Sequence, residues 1–550
     1  MTGQSHPLSS VVKPAPQRPH MGREVELKLL VAPADLARIP DLFFIREHLA
    51  GEAARGRELT TYFDTPDFAL ARRGVALRVR RKGARRVQTV KTLGAGDGSD
   101  GAGVAVRREW EWPLTGDQPD LGLLRGQGLD ELVPPGIASR LEPLFCTDIQ
   151  RTTLPLRVEG GARLEMALDI GEARAWPQRQ DSGGTGPRRT ISEVELELAH
   201  GDVEALFRTA AVIHARIPLR LTMRSKADIG LSLLTGVQAR AVPARPLALT
   251  PITTVTEAFR HVARNGLAHM LDNQDAFATD AGSDPEILRE LAAATRRLDT
   301  GYGLFRDLID TAQGDALHEG LRALARPLER ARRWQRLAQA VTELDPAIRK
   351  SALGPVSAAR QRALAKARNT LLSPAWTGWQ LDFAVWLEGG EWTNLSPTCP
   401  FGTGMGEVAG DLLARRLGKV LKAGRPLSRQ QLVTAGHAVP LHKQIRKLRY
   451  ALDFCRAVWP AERVRALLEV MDTLRPLVKQ AADAERGARL LADIGLEEAA
   501  GAMRRRWAVP GAAWRPHWEM LTNLVAQMDL PSPPARVGME GPAQPEKPRR

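Results

Sequence analysis

The chain has 550 residues, which is more than one hydrophobic core usually holds, so we expect at least two domains. Its 78 lysines and arginines outnumber its 63 aspartates and glutamates, and this excess of 15 positive charges is typical of a protein that meets a polyanionic partner. No helix-turn-helix spacing, zinc-finger pattern or RNP-like aromatic strand is present, so we do not predict nucleic acid as that partner.

Amino-acid composition and the period of the apolar residues divide the chain into five parts. Residues 1–20 are polar and proline-rich, and we predict a disordered tail. Residues 21–235 alternate between apolar and polar positions with glycine-rich turns, which predicts a β-rich domain. A proline-rich linker follows at residues 236–250. Residues 251–530 repeat alanine, leucine and arginine at helical period and predict an all-α bundle, and residues 531–550 form a second predicted tail.

Cysteine usage and hydropathy bear on the cell compartment. Only three cysteines occur, and their scattered positions exclude a disulfide framework and a CxxC metal site. The start of the chain lacks the apolar core of a signal peptide, and no apolar run reaches the roughly 18 residues of a membrane span. We therefore expect a soluble, cytoplasmic protein with no membrane insertion.

Charged side chains recur on one face of several predicted strands. Residues 24–28 place Glu, Glu and Lys on one face, because successive side chains of a strand alternate. The same layout recurs at Arg78 and Arg80, at residues 107–111 and at residues 193–197. A solvated outer face would explain each strand taken singly. Together the strands predict a closed antiparallel barrel lined with charge, in which cations hold phosphate oxygens and carboxylates hold a divalent metal.

A series of motifs follows Glu24 to Lys28, which form an ExExK pattern. The series is TTYFDTPDFAL (60–70), ALRVRR (76–81), TVKTL (89–93), RREWEWPL (107–114), QRTTLPL (150–156), LDIGEA (168–173), SEVELEL (192–198) and RSKADIG (224–230). In composition and order it resembles the CYTH, or triphosphate tunnel metalloenzyme, superfamily. Members of that superfamily hydrolyse triphosphate compounds, and one class consists of adenylyl cyclases. The resemblance implies a tunnel-shaped α+β barrel.

The resemblance also implies roles for individual residues. Glu24, Glu26 and Lys28 are the expected catalytic residues. The expected ligands of one or two Mg²⁺ or Mn²⁺ ions are Glu24, Glu26, Asp169, Glu193 and Glu195. The expected substrate-binding cations are Arg78, Arg80, Lys91, Arg107, Arg151 and Lys226. Glu109, Glu111, Glu165 and Glu197 lie on or near the same strand faces.

Two segments of the helical half are alike, which suggests an internal duplication. They are residues 288–305 and 441–455, and each contains a basic cluster. This half resembles the CHAD domain, a helical module often fused behind CYTH domains that binds inorganic polyphosphate. The polyphosphate-binding residues that the resemblance implies are Arg296, Arg297, Arg446, Lys447 and Arg449. A solvated helix face is the alternative interpretation, and Arg289 and Ala292 depart from the family pattern.

The function that we expect is metal-dependent hydrolysis of inorganic triphosphate, with polyphosphate bound by the helical domain, as in bacterial CYTH-CHAD inorganic triphosphatases. A non-catalytic polyphosphate-binding or granule-associated protein is one alternative. An adenylyl cyclase or another organic triphosphatase is the other. No GxSxG, P-loop, HExxH or Rossmann motif offers a competing chemistry. The ranking of substrates, the preferred metal and the oligomeric state stay open.

Overall fold

A computed structural model describes most of the chain. The described residues are 20–92, 104–176, 186–236, 240–247, 249–279, 284–309, 311–390, 392, 403–427 and 435–528. The predicted tails, apart from His20, lie outside these ranges. The chain separates into two compact units. The first unit is Met1–Ala241 with Gln274–Ala276 and Leu372–Gly389, and the second is Val242–Asn273, Phe277–Leu371 and Gly390–Arg550.

One antiparallel sheet dominates the first unit, and within the described residues it has nine strands. These are β1 (His20–Val31), β2 (Ala54–Asp64), β3 (Val75–Lys82), β4 (Arg85–Thr92), β5 (Ala105–Leu114), β6 (Glu142–Arg157), β7 (Arg163–Ala175), β8 (Arg188–His200) and β9 (Leu219–Leu221). The strand order is β5-β4-β3-β2-β6-β7-β8-β1-β9, and β5 also pairs with β1.

The long first strand, β1, pairs with three others in succession. Its residues His20–Glu26 pair with β5, Glu26–Leu30 with β8 and Leu29–Val31 with β9. The strand order ends at β5 and at β9, so the closed barrel stays a prediction. The layout of a β-rich first half and a helical second half is confirmed.

Helices accompany the sheet and fill the second unit. Those between the strands and directly after them are α1 (Pro33–Leu36), α2 (Phe43–His48), α3 (Ala69–Arg72), α4 (Gly122–Arg125), α5 (Pro135–Ala138), α6 (Glu204–His214) and α7 (Lys226–Thr235). Those that follow are α8 (Val255–Thr279), α9 (Pro285–Phe305), α10 (Ala312–Val341), α11 (Pro346–Leu371), α12 (Pro374–Gly389), α13 (Met405–Gly424), α14 (Ala435–Phe454), α15 (Ala461–Ala492), α16 (Glu497–Arg506) and α17 (Gly511–Gln527). None of the described helices is long and apolar enough to cross a membrane.

Helix α12 groups with the sheet although 152 residues of sequence separate it from β9, the last of the described strands. It packs against α6, where His214 Nε2 donates a hydrogen bond to the Pro374 carbonyl oxygen at 2.9 Å. Its buried Trp376 and Gln380 each donate a hydrogen bond to Gln274 Oε1. The first unit is therefore assembled from three separate stretches of the chain.

Candidate active site

The first unit contains a cavity of about 500 Å³ whose lining is mostly charged. Strands β1 to β8 and helix α7 contribute to the lining. Of the residues predicted from the sequence, those that line it are Glu24, Glu26, Lys28, Arg78, Arg80, Lys91, Arg151, Asp169, Glu195 and Lys226. Glu193 lies beside the lining and contacts Lys226. The Arg107 side chain lies outside the described residues.

Strand alternation explains why the β1 charges share this cavity. Glu24, Glu26 and Lys28 occupy every second position and face the cavity. Leu27 and Leu29 alternate with them and are fully buried on the other face of the strand. Burial of the leucines thus fixes the register that turns the charges inward.

Cross-strand register places opposite charges next to each other. Lys28 of β1 lies opposite Glu195 of β8. Arg151 of β6 lies opposite Asp169 of β7, and Asp169 lies opposite Glu193 of β8. Side chains opposite each other in an antiparallel pair are close enough to interact directly. The sheet therefore gathers five charged residues from four strands in one region.

Helix α7 brings a further cation to that region. A capping box fixes its start, because Ser225 Oγ accepts a hydrogen bond from the Asp228 backbone N–H and Asp228 accepts one from the Ser225 backbone N–H. Lys226 is the first helical residue and is buried. The cap therefore sets the position from which the Lys226 side chain extends.

Asp169, Glu193 and Glu195 form an acidic cluster whose carboxylate oxygens lie within 4.8 Å of one another. The Lys226 ammonium lies 2.7 Å from Asp169 Oδ2 and 3.0 Å from Glu195 Oε1, and it also contacts Glu193. Glu193 Oε2 is buried and has no hydrogen-bond partner among the described residues. The cluster thus has more acceptor oxygens than the ammonium satisfies.

Burial and pairing compete in setting the pKa values of this cluster. Burial raises the pKa of Glu193, although Lys226 opposes the change. Burial also acts to raise the pKa of Glu195, but Lys226 and Lys28 outweigh it and hold that pKa well below its ordinary value. Burial disfavours the charge on Lys226, yet Glu193 and Glu195 outweigh it and raise its pKa. Lys226 and Glu195 are therefore both charged near neutral pH.

Arg151 also bonds the acidic cluster. Its Nε donates to Asp169 Oδ1 at 2.7 Å and its Nη2 donates to Asp169 Oδ2 at 2.6 Å. Nη2 also donates to Glu195 at 2.6 Å. Burial opposes the charge on Arg151, but Glu195 and Asp169 raise its pKa well above the ordinary value. The two-point bond fixes the plane of the guanidinium group.

The β1 carboxylates contact lysines rather than the acidic cluster. Lys91 Nζ lies 2.6 Å from Glu24 and 3.0 Å from Glu109. Lys28 Nζ donates to Glu26 Oε2 at 3.0 Å. Burial disfavours the charge on Lys28, but Glu195 and Glu26 outweigh it and raise its pKa. The two glutamates of the ExExK pattern are therefore each held by one ammonium.

Glu197 lines the cavity near other carboxylates. Burial, together with the nearby carboxylates of Glu24 and Glu165, raises the pKa of Glu197 to about 7. Lys91 opposes this shift without cancelling it. This wall of the cavity therefore carries more negative charge than its lysines balance.

Two arginines of β3 face the opposite carboxylates of β5. Arg78 Nη2 donates to Glu109 at 3.4 Å, and Arg80 Nη2 donates to Glu111 at 3.0 Å. Burial disfavours the charge on Arg78, but Tyr62 and Glu109 raise its pKa. The Arg78 Nε atom is buried without a hydrogen-bond partner among the described residues. Arg78 therefore keeps a donor for another acceptor.

Sequence reasoning missed three residues of β2 that line the cavity, Glu58, Thr60 and Tyr62. Glu58 lies 3.2 Å from Lys82 Nζ and 3.8 Å from Arg80 Nη1. The signal was present, because residues 58, 60 and 62 follow the same period of two as the β1 charges. Only one of the three is charged, so the strand did not stand out among the charged faces.

The basic cluster of α9 is paired with acidic residues. Arg296 Nη1 donates to Glu329 at 2.5 Å, and Arg297 Nη1 donates to Asp453 at 2.6 Å. Both arginines are largely buried, and the Nε atom of each has no hydrogen-bond partner among the described residues. Each guanidinium group therefore keeps one donor unused.

The second basic cluster, on α14, has the same character. Lys447 Nζ lies 2.8 Å from Asp299, and Arg449 contacts Asp472. Burial lowers the pKa of Arg446, and its Nε atom has no hydrogen-bond partner among the described residues. The structure thus places the predicted cations of α9 and α14 in the second unit, with most of them in ion pairs.

Comparisons with known proteins agree with this division. Residues 22–227 match the family model of the CYTH domain, and residues 261–492 match that of the CHAD domain. An inorganic triphosphatase of Haemophilus influenzae is 31% identical over 217 residues, which are 39% of this chain and 55% of that protein. The chain therefore spans about half the length of this curated relative.

Solved structures were also found for each part. The CHAD domain of the plant Ricinus communis has 21% identity and a TM-score of 0.46, and the match covers 53% of this chain and 99% of that one. A Hippeastrum protein described as a putative adenylyl cyclase with a dominant triphosphatase activity has 20% identity and a TM-score of 0.27. That match covers 38% of this chain and 95% of the Hippeastrum chain.

Proposed function

Because the chain carries a CYTH domain followed by a CHAD domain, we propose that it hydrolyses inorganic triphosphate with the help of Mg²⁺ or Mn²⁺. One observation carries the proposal. Six predicted cations and four predicted carboxylates, from different strands and from α7, line one cavity. A cavity of about 500 Å³ lies in the size range of small-molecule sites. Burying so many charges is costly unless a charged ligand completes their pairing.

The cations are proposed to bind the phosphate oxygens. Arg78 and Arg80 present guanidinium groups on the β3 side, and Lys91 stands on the adjacent strand β4. Their present acidic partners lie at 2.6 to 3.4 Å, so a phosphate oxygen would have to share or replace these contacts. Arg151 supplies a planar fork, which suits two oxygens of one phosphate. The cations therefore orient the substrate and stabilise charge that develops on its oxygens.

A tunnel suits such a substrate, and we propose that the sheet closes around the cavity. The pairing between β1 and β5 supports closure. Strand β5 is the first in the strand order and β1 is the last but one, so their pairing joins the two ends of the sheet. Closure would leave β9 as an added strand on β1. A closed wall would exclude water from the phosphate groups and strengthen each charged contact.

The residues present fit a divalent metal. Mg²⁺ and Mn²⁺ prefer oxygen ligands, and Asp169, Glu193 and Glu195 offer carboxylate oxygens within 4.8 Å of one another. The buried Glu193 Oε2 without a hydrogen-bond partner among the described residues supports this fit. Glu24 and Glu26 of β1 are the other proposed ligands. A bound ion would neutralise charge on the phosphate oxygens and activate a water.

The other cavity residues are proposed to prepare the chemistry. Lys28 bonds Glu26 and contacts Glu195, so it holds one carboxylate from each of two strands in position. Lys226 bonds the acidic cluster from α7 and would move aside, or turn to a phosphate oxygen, as the cluster takes up its ligand. Catalysis would then depend mainly on positioning and electrostatic stabilisation.

The helical domain is proposed to bind polyphosphate through Arg296, Arg297, Arg446, Lys447 and Arg449. Buried guanidinium nitrogens that lack partners among the described residues support this role. Binding of long-chain polyphosphate to the full chain should weaken steeply as salt rises, because each neutralised phosphate releases counterions. Arg446→Gln with Lys447→Gln should weaken it more than Arg549→Gln with Arg550→Gln in the C-terminal tail. Equal losses of affinity in the two double variants would show that the domain binds polyphosphate only as a generic basic surface.

Phosphate release from tripolyphosphate tests the proposed hydrolysis. We expect release with Mg²⁺ or Mn²⁺, and loss of release when EDTA is added. Arg78→Gln should lower the rate, whereas Arg188→Gln, on the exposed pair with Glu172, should not. No phosphate release from tripolyphosphate or from a panel of organic triphosphates, despite intact fold, would favour a non-catalytic role. Formation of cyclic AMP from ATP would instead favour a cyclase.

A further inference from the structure

The second unit contains a cavity of about 660 Å³ that the proposed function does not use. It lies among α10, α15 and α16. The cations that line it are Arg333, Arg336, Arg475, Lys479 and Arg486. Its carboxylates are Asp483 and Glu343. The cavity therefore has a strongly positive side.

The acidic residues do not balance these cations. Asp483 alone contacts Arg336, Lys479 at 3.3 Å and Arg486 at 3.4 Å. The Arg475 Nε atom is buried and has no hydrogen-bond partner among the described residues. A bound anion would supply the acceptors that this side of the cavity lacks.

The pKa of Arg486 reflects the same imbalance. Burial lowers the pKa of Arg486 to about 10, and although Asp483 opposes this, Arg333 and Arg336 add to it. Arg446 acts in the same direction from α14. The contribution of the neighbouring arginines to this shift reflects a local excess of positive charge, which favours a bound anion, whereas the contribution of burial does not.

Apolar side chains also line the cavity. Leu337 of α10 and Met503 of α16 are almost fully buried, whereas Trp507, which follows α16, is partly exposed. The Arg506 guanidinium lies 5.4 Å from the centre of the Trp507 ring. The exposed part of the Trp507 ring can stack against an aromatic group of a ligand.

We infer that this cavity binds a nucleoside polyphosphate, with the phosphates on the cations and the base against Trp507. An inorganic phosphate chain would use the cations but not the Trp507 ring. An uncharged nucleoside would do the reverse. The combination of cations and a partly exposed indole ring in a cavity within the usual size range of ligand sites favours the nucleotide.

Calorimetric titration tests this site without relying on turnover. The titration uses the full chain with Arg78→Ala and Arg80→Ala, because these substitutions should weaken anion binding in the first unit. EDTA is added to prevent metal-dependent hydrolysis. We expect ATP to bind this protein at least about tenfold more tightly than tripolyphosphate or adenosine. Tripolyphosphate binding that is as tight as ATP binding and is weakened equally by Arg475→Gln, or no binding of ATP, would overturn the inference. The outcome does not depend on whether the chain hydrolyses triphosphate.

Matched substitutions locate the binding. In the same background, Arg475→Gln and Trp507→Ala should each weaken ATP binding about tenfold. Arg465→Gln is the control, because Arg465 also lies on α15 but is exposed and paired with Glu462. Unchanged thermal unfolding of the Arg475→Gln protein would show that its fold is intact. If ATP binding survives both substitutions, or falls equally in the control, the nucleotide binds elsewhere and the inference is wrong.

Discussion

Charged side chains in the cavity of the first unit are held by partners of opposite charge on neighbouring strands. Arg151 bonds Asp169 and Glu195, and Lys91 lies between Glu24 and Glu109. Removing one member of a buried pair leaves the other without compensation, which costs more than removing an exposed charge. A substitution that keeps the shape of a side chain but removes its charge therefore separates function from packing.

Replacement of Glu24 or Glu26 by glutamine should lower turnover of tripolyphosphate by roughly 100-fold or more, since a loss of about 3 kcal/mol of transition-state stabilisation has this effect. The amide keeps the size of the side chain but not the negative charge proposed for metal binding. The rate at saturating substrate and Mg²⁺ is the measurement. Glu172→Gln on β7 is the control, since Glu172 pairs with the exposed Arg188. Near-normal turnover in both variants would contradict the metal assignment.

Glu197 should make stability depend on pH. Its pKa is raised from 4.5 to about 7 in the folded chain, so the folded state binds more protons than the unfolded state between these values, and stability falls as pH rises through them. Glu197→Gln removes this loss of stability, because glutamine does not titrate. Without metal or substrate, the variant should unfold at a higher temperature than the parent at pH 8 and at a similar one at pH 4. An equal difference at both pH values would contradict this.

Several residues of the site could be predicted from sequence, and others could not. The ExExK residues belong to a strand in which charged and apolar residues alternate, and Arg151 belongs to one of the motifs, so their place in the site was predictable. Glu58 is the only charged residue among positions 58, 60 and 62, and only the fold shows that this face of β2 lines the cavity. Partners also escape prediction, because whether Lys91 meets Glu24 depends on side-chain geometry across strands that the sequence does not specify.

At the level of elements, the packing of α7 against the sheet determines where Lys226 lies. Gly230 of α7 lies against Phe145 of β6, so close that an added Cβ would overlap the ring. Lys226, one turn earlier, bonds the acidic cluster. The position of the lysine therefore depends on a glycine that allows the helix to approach the sheet.

Gly230→Ala should displace α7 and lower both stability and tripolyphosphate turnover. Overpacking of this kind commonly costs about 1 to 3 kcal/mol. The unfolding temperature and the rate at saturating substrate are the measurements. Gly354→Ala on α11 is the control, because its added Cβ would meet open space and alanine favours a helix. Unchanged turnover in the Gly230 variant would show that the placement of Lys226 tolerates a shift of the helix.

The strands themselves are predictable elements, because a period of two is a strong local signal. Their order is not, since β2 pairs with both β3 and β6, and β1 with β5, β8 and β9, across long stretches of chain. Helix α12 is the clearest case. Its three tryptophans and only two charged residues indicate a buried helix but not its partner, and only its buried contacts to Gln274 and its packing against α6 place it with the sheet.

At the level of the whole molecule, the cavity and its support come from different stretches of the chain. All residues that line the cavity lie between Glu24 and Ala227. Residues 372–389, by contrast, cover part of the first unit with α12, and Trp376 and Leu381 in that helix are fully buried. The domain limits 21–235 that the sequence predicts therefore contain the described lining of the cavity but not α12.

A fragment of residues 21–235 should keep tripolyphosphate turnover within about tenfold of the full chain. Its unfolding temperature should fall by several degrees or more, because losing a buried aromatic helix costs a few kcal/mol. Joining residues 372–389 to the fragment through a flexible linker should restore part of the loss, whereas a linker with a scrambled helix should not. A folded but inactive fragment would show that residues beyond 235 contribute to the site.

The three-part construction of the first unit also sets an order of events during synthesis. Every strand has left the ribosome shortly after residue 221, but α12 ends only at residue 389. At typical translation rates, the α6 surface that α12 covers stays exposed for roughly 10 to 30 s. Leu206 and Phe207 of α6 are fully buried in the finished chain. The nascent protein therefore passes through a period in which all the described strands have been translated while part of the apolar cover of the first unit has not.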